Sequence, residues 1–125
     1  MTTAYWCVLA AALLPYFTVV LAKASPGFDN RAPRPWLERL EGWRRRAYWA
    51  HQNGFEAFPA FAAAVVIAHL AHAPQGRIDQ LALVFVAARI AYVAAYVADA
   101  AALRSLVWSI GFLAMVGLYV SAASG

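Results

Sequence analysis

The chain has 125 residues, of which 64% are hydrophobic and only 13% charged, with a formal net charge of +4. Soluble domains carry roughly 45–50% apolar and about 25% charged residues, and one this small buries only about two-thirds of its unfolded surface, so it needs a generous polar coat. A soluble globular enzyme, a disordered tail and a disulfide scaffold are therefore excluded, and one integral membrane domain over residues 1–125 remains.

A hydrocarbon core of roughly 30 Å takes about 20 mostly apolar residues as a helix. Residues 4–22 contain no charged side chain, which predicts a first span over about 4–23. Its lone Cys7 reads as a small buried hydrophobe. The triplet Ala22-Lys23-Ala24 imitates a cleavage site, but no positive side chain precedes the run, so it is read as a retained span. Residues 24–46 form a connection that opens with the turn residues Ser25-Pro26-Gly27. Within it Trp36, Leu40 and Trp43 fall at i, i+4 and i+7 among arginines, which predicts a short amphipathic helix on the membrane surface leading into the second span. Further spans are predicted over about 47–72, 79–98 and 104–123. Long uncharged runs replace the alternation of a barrel strand, so the fold class is all-α, a four-helix transmembrane bundle. Thirty alanines favour close helix approach. Pro15 and Pro59 lie inside the first two spans and are expected to kink them.

Seven of the ten cations fall at or within the first connection, Lys23 at its edge and Arg31, Arg34, Arg39, Arg44, Arg45 and Arg46 inside it. Arg104 joins them on the same side, and Arg77 alone lies opposite. The positive-inside rule then places these connections in the cytosol and both termini outside it. The basic excess is topological, and no nucleic-acid partner is expected.

The informative residues are polar ones within the spans, because a charge near the bilayer centre costs a few kcal/mol and needs a partner or a purpose. Glu56 lies ten residues past Arg46, and Arg89 ten before Asp99. At 1.5 Å per residue each sits about 15 Å from the same surface, so the two are expected to pair. Glu56, Ala60, Ala64 and Ala68 share one helical stripe, with Asn53 beside Glu56. Arg89, Tyr92, Tyr96 and Asp99 share another, with Ala87, Ala91 and Ala95 opposite. Arg104 and Ser105 open the fourth span near the level of Tyr96. His69 and His72 are read as boundary residues and not as a metal pair.

The stretch Ala50-His51-Gln52-Asn53-Gly54-Phe55-Glu56-Ala57-Phe58-Pro59 resembles the second-helix motif of the MAPEG family, the membrane-associated proteins in eicosanoid and glutathione metabolism. Arg89-Ile90-Ala91-Tyr92 with Tyr96, then Arg104-Ser105, resembles that family's arginine-tyrosine-arginine pattern, and the form of the second-helix motif over Ala50–Pro59 is similar to that of the family's bacterial branch, which implies a bacterial inner membrane. The resemblance implies a homotrimer holding glutathione between subunits near the cytosolic side, in contact with membrane lipids. By residue-wise matching, His51, Asn53, Glu56, Arg89, Tyr92 and Tyr96 are implied to bind glutathione. Arg104, with Ser105 adjacent, is implied to stabilise its thiolate against a lipophilic small molecule arriving from the bilayer, in a transferase or peroxidase reaction. Many relatives carry an arginine where this chain has Trp49, with Arg46 one turn earlier as a candidate substitute. The alternatives are a non-catalytic membrane subunit or lipid-binding protein retaining the bundle and, behind it, a small proton-coupled transporter.

Overall fold

The computed structural model describes residues 1–125. It is entirely helical: α1 (Thr3–Lys23), α2 (Pro33–Glu38), α3 (Gly42–Leu70), α4 (Gln75–Val97) and α5 (Ala101–Ala123). The four long helices are each long and apolar enough to cross a membrane, and the protein is an integral, multi-pass membrane bundle. The α1 helix packs on α3, α4 on α5, and α3 and α4 lie in the middle. The core includes Phe61, Val65, Ile78 and Leu118, all fully buried, with Phe61 and Phe85 stacked at 3.9 Å between centroids and 6° between planes.

The α3 helix starts at Gly42, five residues before the expected 47, and ends at Leu70. The early start has a physical cause: three successive arginines of its first turns find three separate partners. Arg44 donates from Nη2 to the carbonyl of Ala24 at 3.3 Å. Arg46 donates from Nε and Nη2 to the carbonyl of Val97 at 3.2 and 3.1 Å. Both carbonyls lie at helix C-termini, where orphan acceptors and the negative dipole end favour a guanidinium. Arg45 lies over the indole of Trp49 at 5.5 Å. These cations tie the ends of α1, α3 and α4 together.

The amphipathic segment is shorter than expected. The α2 helix ends at Glu38, and Glu41 is extended before Gly42, whose φ of +65° turns the chain into α3. Trp36 and Trp43 therefore belong to different helices. Two other helix ends use the left-handed conformation without glycine: His72 (φ 56°) and Asp99 (φ 61°). In each, the following N–H reaches back five residues, from Ala73 to the carbonyl of Ala68 and from Ala100 to that of Ala95, at 3.0 and 2.9 Å, closing the ends of α3 and α4 in Schellman fashion. Asp99 thus terminates α4 and does not extend the Arg89 stripe. On α4 the buried residues near Arg89 are Ala88, Tyr92 and Ala95, while Ala87 is exposed; the alanines do not form a separate packing face.

At the end of the bundle opposite α2, polar groups fasten α1 to α3 and α4. Asp79 accepts from the Ala4 N–H at 2.9 Å and from Gln75 at 2.8 Å. His69 donates from Nδ1 to the carbonyl of Val65 at 2.7 Å, stacks on Tyr5 at 4.1 Å, and accepts at Nε2 from the Thr2 hydroxyl at 3.0 Å. Midway, α1 and α3 touch where Gly54 meets Pro15. A Cβ added to Gly54 would lie 2.8 Å from Pro15 Cγ, and the buried ring has little freedom to yield. Gly54→Ala is therefore expected to cost about 1–3 kcal/mol by overpacking, read as a lower melting temperature of the detergent-purified protein.

Candidate functional site

On α3, Asn53 and Glu56 are one turn apart and face α4, as the three-residue spacing dictates. Asn53 donates from Nδ2 to Glu56 Oε2 at 3.3 Å. Across from them Arg89, only 5% exposed, donates from Nη2 to Asn53 Oδ1 at 2.7 Å. Glu56 and Arg89 both contact Asn53 and line the same hollow, but the expected direct pair does not form. The amide of Asn53 stands between them, accepting from the cation and donating to the carboxylate. Arg89 also lies over the ring of Tyr92 at 4.3 Å, an attraction that strengthens when water is excluded. One short charge-assisted hydrogen bond and one aromatic face together offset part of the cost of burying this guanidinium.

The array continues toward the arginine-rich end. Tyr92 meets Tyr96 edge to face at 5.6 Å, Arg104 lies over Tyr96 at 4.6 Å, and Trp49 approaches Tyr96 at 6.3 Å. Three hollows share these residues. The inner one, about 250 Å³, has Asn53, Glu56 and Arg89 at one end and Phe85, Trp108 and Phe112 among its apolar walls. The outer one, about 400 Å³, has Asn53, Glu56, Tyr92 and Tyr96 in common with the array and adds Trp49 and Gln52. A third, about 190 Å³, is lined by Tyr92, Arg104, Ser105, Trp108 and Ser109. Because Asn53 and Glu56 line the first two, and Tyr92 the last two, they make one site running from a cationic mouth at Arg104 to an apolar interior.

Asn53, Glu56, Arg89, Tyr92, Tyr96, Arg104 and Ser105 are thus brought together. His51 is not. It points to the other side of α3, where Nδ1 donates to the carbonyl of Pro15 at 2.6 Å and the ring packs edge-on against Phe55 at 4.9 Å. There it lines a separate cleft of about 550 Å³ with Lys23, Arg34, Tyr48 and Gln52. The reason is angular: at about 100° per residue, His51 and Asn53 cannot share a face. Trp108 and Ser109 escaped the sequence reading, although each lies four residues after Arg104 and Ser105, a spacing that sets them on the same face. Ser109 donates to the carbonyl of Ser105 at 2.9 Å.

Residues 3–124 match the MAPEG family description. The chain belongs to the MAPEG family. A comparison with curated proteins finds no match. Membership in the MAPEG family covers all four spans and every residue of the site, and it supports a membrane function related to glutathione in general terms. Trp49 stands where the resemblance in the sequence implies an arginine. Trp49 is 43% exposed at the outer cleft, backed by Arg45. Arg46 does not substitute for a cation at that place, because its guanidinium is committed to the carbonyl of Val97.

Proposed function

We propose that this MAPEG protein is a membrane-bound transferase or peroxidase that binds glutathione in the Arg89–Arg104 site. The observation that carries this reading is the polar chain Glu56–Asn53–Arg89, running from an exposed carboxylate to a buried guanidinium, with Tyr92, Tyr96 and Arg104 beyond it. The carboxylate of Glu56 suits the ammonium of the tripeptide, and a guanidinium suits a carboxylate through forked hydrogen bonds. Arg104 beside the thiol favours its anionic form, which forms a carbon–sulfur bond at an electrophilic carbon of a lipophile lodged along Phe85, Trp108 and Phe112 as that carbon's leaving group departs with its electron pair. The arginine-rich end then faces the cytosol by the positive-inside rule.

The same reading includes a homotrimer. Glu56 is exposed on the single subunit, and a carboxylate facing lipid at this depth is costly, so a neighbouring copy is expected to cover it. The cleft holding His51, Lys23 and Arg34 lies on the opposite side of the same helix, and Gln52 borders both clefts. A ring of subunits that sets the His51 face of one against the Glu56 face of the next would return His51 to the ligand. The open aromatic face of Trp49 favours the other reading, a bundle that binds lipid without catalysis. Thermal denaturation in detergent separates them. Glutathione at 100 times its dissociation constant is expected to stabilise by about 2.7 kcal/mol; no shift at millimolar glutathione, with an intact trimer, would sink the catalytic reading.

A further inference from the structure

The formal charge of the chain is concentrated in one segment. Residues 23–46 hold seven cations against three carboxylates, Asp29, Glu38 and Glu41, a surplus of four that equals the whole net charge of +4. The rest of the chain holds three of each sign. Every copy in a homo-oligomer carries the same surplus, so pairing between subunits redistributes these charges without cancelling them. The balancing anions come from outside the protein.

The surplus is also held at a defined level. Leu37 of α2 is buried in a cluster with Val19, Ala22, Ala47 and Tyr48. Arg44 donates to the carbonyl of Ala24 just past α1, and Arg46 to that of Val97 at the end of α4. These contacts fix the segment across the ends of three spans, where hydrocarbon gives way to headgroups. Aromatic rings accompany the cations there, as they do at membrane interfaces. Trp43 is 39% exposed, with the Arg44 guanidinium over its ring at 4.5 Å. Phe28 lies under the Lys23 ammonium at 5.2 Å and meets Trp36 edge to face. Arg31 and Arg39 are exposed; Arg31 meets Asp29 through its backbone N–H, at 2.9 Å, which leaves its guanidinium available. A cation beside an anionic leaflet gains about a fivefold local preference. We infer that the arginine-rich end is a binding surface for acidic phospholipids, with Trp43 and Arg44 at headgroup level and Arg31 and Arg39 supplying further charge. Rings with one apolar side and one wet side suit a bilayer boundary better than a soluble polyanion.

The test reconstitutes the full chain in phosphatidylcholine bilayers with a trace of spin-labelled lipid, either phosphatidylglycerol or phosphatidylcholine of the same acyl chains. The electron spin resonance spectrum gives the fraction of label slowed at the protein boundary, and so the relative association of the two headgroups. Averaged over both leaflets, phosphatidylglycerol is expected to associate about twofold or more strongly in about 0.1 M salt. The preference is expected to vanish in about 1 M salt, where the screening length falls from about 10 to about 3 Å. Arg31→Glu combined with Arg39→Glu takes the segment from a surplus of four to zero and is expected to abolish the preference at low salt. Equal association of the two lipids with wild-type protein at low salt overturns the inference. So does a preference that survives high salt or the double substitution. Inorganic phosphate that removes the preference where chloride of equal ionic strength does not would assign the surface to a soluble anion and overturn it too. The wild-type salt series decides the matter even where the variant does not accumulate.

Discussion

On the proposed function, Arg104→Ala is expected to lower turnover by about 10²- to 10³-fold, the loss seen when one preorganised electrostatic contact to a developing or resident anion is removed. The position of the side chain explains why the loss falls on chemistry and not on folding. Arg104 lies in the first turn of α5, half-buried, and its one recorded interaction is the face of Tyr96 at 4.6 Å. A cation–aromatic contact at an exposed site contributes about 0.5–1 kcal/mol, so the melting temperature and the oligomeric mass are expected to change little. The thiolate absorbance of bound glutathione in the ultraviolet should vanish with the guanidinium. Arg104→Lys keeps the charge without the planar fork and is expected to recover part of the loss. Turnover that survives Arg104→Ala undiminished, with glutathione still bound, would remove this residue from the role.

The sequence made the spans legible because a bilayer imposes one dominant rule, about 20 apolar residues for each crossing. It made the level of Glu56 and Arg89 legible because helical rise is fixed at 1.5 Å. What it left open were matters of rotation and of ends. Two residues at one level meet only if their helices are turned toward each other, and here the turn brings Asn53 and not Glu56 onto Arg89. The same angular step carries His51 away to Pro15. The start of α3 was hidden because hydropathy counts Arg44, Arg45 and Arg46 as loop, whereas the carbonyl ends of α1 and α4 and the ring of Trp49 make them good first-turn residues. His72 and Asp99 carry no glycine signature, so their left-handed termini could not be read from composition. The aromatic and serine walls at Trp108 and Ser109 were visible in the spacing, but their chemistry is too ordinary to single them out.

That rotational detail decides which substitution is the most damaging to the fold. Had Glu56 and Arg89 formed a direct ion pair, Glu56→Gln would have been the severe change, since breaking a buried pair leaves an uncompensated charge at a cost of roughly 3–5 kcal/mol. With Asn53 between them, Glu56→Gln leaves the Arg89–Asn53 bond at 2.7 Å untouched and replaces one exposed acceptor by another, so a loss of about 1 kcal/mol or less is expected. Asn53→Leu, by contrast, keeps the volume and removes the acceptor. Arg89 then retains the face of Tyr92 but has no hydrogen-bond partner in a site where its guanidinium is 5% exposed. An unsatisfied buried group costs about 1–3 kcal/mol, and more when it is charged, so a loss of about 3 kcal/mol is expected. Melting of the two variants in the same detergent checks the order. Asn53→Leu should melt well below the wild type and Glu56→Gln close to it, while both weaken glutathione. The reverse order would mean that Glu56 reaches Arg89 directly in the assembled protein and that the amide bridge belongs only to the isolated subunit.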